Sequence, residues 1–188
     1  MKPLFTIHAG EYLVASHIEQ HYKRTNVWVP SRDTGVDLLV SDFRSRRTVS
    51  LQVKFSKDFL YMMKPIFQGK DSLLRACGWW TIDREKLRKS VADFWVFMLL
   101  GFMLLGFNGR TKDYVLIPPQ DLLQRLESIH GSRSKFQTYL WVTKKQCFEA
   151  RDLSERDRLK VARGEYENGP RDLSQWLNNW TPVQSLND

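Results

Sequence analysis

Cysteine is nearly missing from this chain, with only Cys77 and Cys147 among 188 residues. They form no CxxC pair, so neither a zinc ribbon nor a disulfide framework is expected, and a reduced, cytoplasmic setting fits. Long hydrophobic runs are missing too. The longest spans residues 94–107, is broken by Gly101 and Gly106, and falls short of the ~20 residues a membrane helix needs. It reads as a buried central strand, and no membrane partner is expected. The opening MKPLFTIHAGEY holds no apolar stretch of signal-peptide length. Neither a GxSxG elbow nor a GxxxxGK loop occurs, which leaves serine-triad hydrolysis and P-loop chemistry without a carrier. No clear linker divides the chain. The expectation is one domain over residues 1–150, with 151–188 as a C-terminal helical extension packed on it.

What is present is basic charge and enough apolar material for a core. Lys and Arg number 29 against 21 Asp and Glu, a formal net charge of +8, while 42% of residues are hydrophobic and 13% aromatic. Such a surplus favours polyanionic partners, nucleic acid above all; the plain alternative is a basic globular protein without that role.

Hydrophobic spacing gives the element order. A helix is expected after Gly10 to about Tyr22, with Ala15, Ile18 and Tyr22 on one side. NVWVP reads as a short strand, SRDTG as a turn-rich loop, GVDLLVSD as a strand, and VSLQVKF as a strand alternating with period two. Residues 56–82 carry little signal and read as loop with short helix or strand. Asp83 to Ser90 reads as a helical turn. After the apolar strand, NGRTKD predicts a turn and Tyr114 to Ile117 the returning strand. Pro118 and Pro119 open a helix to about Ile129. A strand over residues 136–142, a charged helix near 153–163 and a short helix with Trp176 and Trp180 complete an α/β order around a central mixed sheet flanked by helices.

The chemistry concentrates on two strands. Val49, Leu51, Val53 and Phe55 share one face, and Ser50, Gln52 and Lys54 the other. On the preceding strand Val36, Leu38 and Val40 face one way and Asp37 the other. Folding the pair about Arg44–Arg46 sets Asp37 across from Gln52 to Lys54, with Cβ atoms of neighbours ~5 Å apart, a span one metal ion can bridge. Glu11 shares the helix stripe of Ala15 and Ile18. Buried there, a carboxylate is costly unless paired or metal-bound; at a helix start it could instead favour the N-terminus.

GVDLLV, with fourteen residues between Asp37 and Gln52, then Gln-Val-Lys, preceded by a helical Glu in GEYLVASHI, resembles the D…(D/E/Q)xK signature of the PD-(D/E)XK nuclease superfamily over residues 8–56. Restriction endonucleases and archaeal Holliday-junction resolvases share this arrangement. The resemblance implies a restriction-endonuclease-like sheet and Mg²⁺- or Mn²⁺-dependent cleavage of DNA phosphodiesters. It casts Asp37, Gln52, the Val53 carbonyl and Glu11 as metal ligands and Lys54 as the cation beside the attacked phosphate. It also makes a homodimer an expectation. Gln52 departs from the usual acid, as in QxK variants. An amide oxygen can coordinate but brings no charge, so a non-catalytic nucleic-acid-binding relative stays open, as does a module docking an acidic protein.

Arg44, Arg46 and Arg47 at the hairpin tip, with Lys57, Lys64 and Lys70 beyond the second strand, are candidate phosphate contacts or simply solvated charges. His17 and His21, at i and i+4, read as solvent-facing rather than metal-binding; His8 precedes Glu11; His130 reads as a helix C-terminal residue before Gly131. Trp79, Trp80, Trp176 and Trp180 suit core packing better than base stacking. MLLGF recurs at 98–102 and 103–107, a copy too short for a repeat fold.

Overall fold

The computed structural model describes residues 4–32, 34–56, 63–67, 69–102 and 110–187. In chain order come α1 (Leu4–His21), β1 (Thr25–Trp28), β2 (Leu38–Asp42), β3 (Thr48–Ser56), β4 (Leu74–Asp83), α2 (Arg84–Arg88), β5 (Phe94–Phe102), β6 (Arg110–Ile117), α3 (Pro119–His130), β7 (Lys135–Thr143), β8 (Cys147–Glu149), α4 (Glu155–Arg163) and α5 (Thr181–Gln184). A 3-10 turn at Ser174–Trp176 precedes α5.

Among the described residues the strands make two sheets. The larger is mixed, in the order β1-β2-β3-β5-β6, and the smaller is antiparallel, β4-β7-β8. β3 and β5 run parallel, with Gln52 beside Trp95 and Lys54 beside Phe97; the other pairs of the large sheet are antiparallel. Three layers of buried side chains hold the stack together. Val14 and Ile18 of α1 meet Leu38, Val40, Leu51, Val96 and Met98, joined by Trp180, Val183 and Leu186. On the other face Trp95, Phe97, Leu99, Val115 and Ile117 meet Ala76, Trp80, Phe136 and Leu140 of the small sheet and Leu122 and Leu126 of α3. Beyond the small sheet, Cys77, Trp141 and Phe148 pack on Phe67 and on Val161 of α4. The protein is thus mixed α/β, a mixed sheet flanked by helices. The C-terminal residues enter all three layers: Val161 and Tyr166 the third, Leu173 and Trp176 the second, and Trp180, Val183 and Leu186 the first.

Several expectations need correction. The first helix starts at Leu4, and Gly10 lies inside it. The glycine is there for contact: a Cβ on Gly10 would come 2.6 Å from Cβ of Phe55. Glu11 is therefore in mid-helix, which removes the N-terminal explanation for it. Residues 74–83, read as weak signal, form a ten-residue strand. Gly78 explains the weakness, since it lets the Trp80 ring cross where a Cβ would meet it at 2.2 Å. Val36 does not share a face with Leu38 and Val40: it packs in the layer with Trp95 and Ile117, whereas they pack under α1. His17 is not solvent-facing. Its ring stacks on His21 at 4.3 Å and lies tilted 4.7 Å from Tyr114 and 4.8 Å from Trp180. Trp80, Trp176 and Trp180 are buried, whereas Trp79 is exposed. The second MLLGF copy, the Asn108-Gly109 turn, Lys57 and the side chain of His8 lie outside the described residues.

Candidate active site

The β2–β3 hairpin is closed by Asp42, whose carboxylate accepts from the amides of Arg46 (2.6 Å) and Arg47 (3.2 Å). Ladder pairs such as Leu38↔Leu51 and Leu39↔Ser50 follow, the register expected from the sequence. At Asp37 it slips. The Asp37 amide donates to the Leu51 carbonyl at 2.8 Å, so Asp37 and Leu38 both face Leu51. Such a bulge re-aims the side chain that sits on it, and it explains why Val36 and Leu38 turn to opposite layers.

The re-aimed carboxylate reaches across to β3, where Oδ2 accepts from the Val53 amide at 2.7 Å. In an extended strand the N–H and C=O of one residue leave on the same edge. The Val53 carbonyl therefore leaves toward Asp37, past the last ladder pair of β2. Asp37, the Gln52–Lys54 backbone and the Val53 carbonyl are brought together at the open end of the hairpin.

Gln52 and Lys54 point away from α1 into a cavity of about 770 Å³, shared with Thr34, Trp80, Thr81 and Trp95 and, at α2, with Lys86 and Lys89 and the carboxylates of Asp83 and Glu85, the last 3.7 Å from Lys89 Nζ. The Lys54 ammonium lies 4.7 Å from the centroid of the Trp95 ring, a cation–π contact that keeps the charge at the cavity wall. Asp93 locks this end of the sheet, accepting from both the amide and the hydroxyl of Ser50 at 2.7 Å. Glu11 is not brought to that cavity: α1 packs on the opposite, Val53 and Phe55 face of β3 through Gly10.

An all-oxygen donor set suits a hard cation such as Mg²⁺. Asp37 has one carboxylate oxygen beyond the bond to Val53, and the Val53 carbonyl leaves on the same edge of β3, so the donors at this end of the hairpin are oxygens. Among the described residues no three His, Cys, Asp or Glu side chains form a metal-sized group. Any ion here would rest on one carboxylate with neutral oxygens beside it.

The remaining cations are scattered. Arg44, Arg46 and Arg47 are exposed at the hairpin tip, and Arg47 also donates to the Leu186 carbonyl at 3.4 Å. Lys64 pairs with Glu155 at 2.5 Å on the α4 side of the small sheet and does not line the Gln52–Lys54 cavity, and Lys70 is exposed. Sequence reasoning missed Lys86, Lys89, Trp80 and Trp95. The signal for Trp95 was out of reach, because a parallel partner is chosen over a long crossover. Lys86 and Lys89 stood three apart in a charged turn, but nothing local says that this turn borders β3. No family model, curated protein or solved structure matches the chain.

Proposed function

We propose that this protein is a divalent-metal-dependent endonuclease of the PD-(D/E)XK type, with a restriction-endonuclease-like core, acting on DNA. The observation that carries the reading is the convergence of Asp37 with the Gln52-Val53-Lys54 segment at one bulged hairpin end, beside an open cavity carrying further lysines. Asp37, the Gln52 amide oxygen and the Val53 carbonyl would hold Mg²⁺ or Mn²⁺. When bound, the ion lowers the pKa of its water and neutralises phosphate oxygens. Lys54 supports the phosphate with a positive charge fixed against Trp95, in a cleft where such charges act more strongly than in bulk water. Lys86 and Lys89 would draw the polyanion in, and Arg44, Arg46 and Arg47 would add salt-dependent contacts along it. Cutting both strands would call for a homodimer.

A panel of DNA and RNA substrates with Mg²⁺ or Mn²⁺ tests this. Wild type should nick DNA, chelator should stop it, and Asp37→Ala and Lys54→Ala should each cut at least ~10²-fold more slowly. Cleavage that survives in both variants sinks the proposal. A non-catalytic relative is favoured by one observation, the uncharged Gln52. It would bind DNA in a salt-sensitive way, without cleavage and unaffected by chelator.

A further inference from the structure

A second cavity, richer in cations than carboxylates, adjoins the first. About 320 Å³ in size, it is lined by His130, Arg133, Lys135, Gln137, Arg151 and Asp152, and it shares Thr81 with the Gln52–Lys54 cavity. Three permanent cations face one carboxylate there. Asp152 is already paired, with Arg151 Nε 3.1 Å from its Oδ1. Arg151 is held in place by donating from Nη1 to the Tyr139 hydroxyl at 2.6 Å and by lying over the Tyr139 ring. His130 closes the inner wall, its side chain only 4% exposed, with Nε2 3.4 Å from Glu149 Oε2 and Nδ1 3.9 Å from Asp152 Oδ2, and Arg171 Nη1 lies 2.6 Å from the same Glu149 oxygen.

The backbone explains why the two cavities adjoin. Asp83, at the end of β4, pairs with Lys135, at the start of β7, and the next amide, of Arg84, donates to the Ser134 carbonyl. The lysines of α2 and the cations of the α3–β7 turn therefore crowd one end of the small sheet, on either side of Thr81. Cations at intervals around a cleft suit a chain of phosphates rather than one isolated anion, and Arg brings a planar fork that matches phosphate oxygens.

We infer that the cavity of His130, Arg133, Lys135 and Arg151 is a phosphate subsite for the nucleic-acid backbone, continuous with the Gln52–Lys54 cavity across Thr81. The inference rests on the nuclease reading for its ligand but not on cleavage. The bound strand runs from Lys54 past Lys86 and Thr81 to Arg133 and Lys135, and the subsite sets its register at the reacting end.

The test is oligonucleotide binding by the full chain with Ca²⁺ in place of Mg²⁺, measured against salt. Arg133→Ala/Lys135→Ala alters two exposed side chains, so melting should match wild type. Each duplex phosphate contact adds ~0.9 to the salt slope, so this variant should lose about 1.5 to 2 from it. Lys144→Ala/Lys145→Ala, an equal charge change at the far end of β7, should lose little. Equal losses in the two variants, or none in the first, overturn the inference. So does inorganic phosphate binding that depends on Arg133 and Lys135 while the oligonucleotide slope stays unchanged, since the cavity would then serve a free anion. Cleavage with Mg²⁺ is scored separately. A wild type that binds but never cuts defeats the nuclease reading and leaves the subsite standing.

Discussion

Asp37 has two carboxylate oxygens with different tasks. Oδ2 satisfies the Val53 amide, a bond whose loss leaves a polar group poorly paired at a cost of about 1–3 kcal/mol. The other oxygen is the one that would meet a cation. Asp37→Asn should therefore separate fold from chemistry. It should keep urea stability within about 1 kcal/mol of wild type, whereas cleavage falls to background. Parallel urea melts and nicking assays check this. At His17 burial, then the nearby His21 and Lys112, push the imidazole from 6.5 down to about 4. The folded state thus prefers the neutral ring. Its contribution is complete above pH 6.5 and drains away as pH falls toward 4, because the unfolded chain takes up the proton first. With solvent screening allowed for, the effect is about 1–2 kcal/mol. The stability gap between wild type and His17→Leu, followed by chemical denaturation across that window, should shrink as pH falls; a constant gap contradicts the assignment.

At the scale of elements, two glycines act through contact. An alanine at Gly10 would drive α1 off Phe55, where the opposing atom is a Cβ that cannot swing away. One at Gly78 would strike the Trp80 ring. Overpacking of this kind costs roughly 1–3 kcal/mol, and Gly10→Ala should be the worse because its neighbour is close to backbone. Thermal melts of both variants decide this. The same glycines mark what the sequence disclosed and what it hid. β2 and β3 were legible because β3 alternates apolar with polar residues and β2 opens on a short apolar run, and their register followed from the short turn between them. β4 was not, since Gly78 and the Trp79-Trp80 pair blur its alternation. The Asp37 bulge was hidden as well, for a slip of one residue leaves no mark on composition. Asp37, Gln52 and Lys54 could thus be placed on one hairpin from sequence. The wall opposite them could not, because β4 and α2 arrive by long-range packing.

At the scale of the molecule, the C-terminal residues complete the layer beneath α1. Trp180, Val183 and Leu186 sit among Ile18, Leu38 and Val96, Leu177 bridges Val115, and the Asn178 amide donates to the Tyr114 carbonyl at 2.6 Å. Trp180→Ala should cost about 3–5 kcal/mol, read as a lower urea midpoint, and a chain ending before residue 173 should not reach a folded state. The order in which the strands are used has a consequence of its own. The chain gives β1 to β3 to the large sheet, β4 to the small one, β5 and β6 to the large one and β7 and β8 to the small one. No single cut can sort the polypeptide into two self-sufficient halves. Each sheet waits on material synthesised after part of the other, so the molecule should come apart in one calorimetric step and assemble slowly, as proteins dominated by distant pairings do.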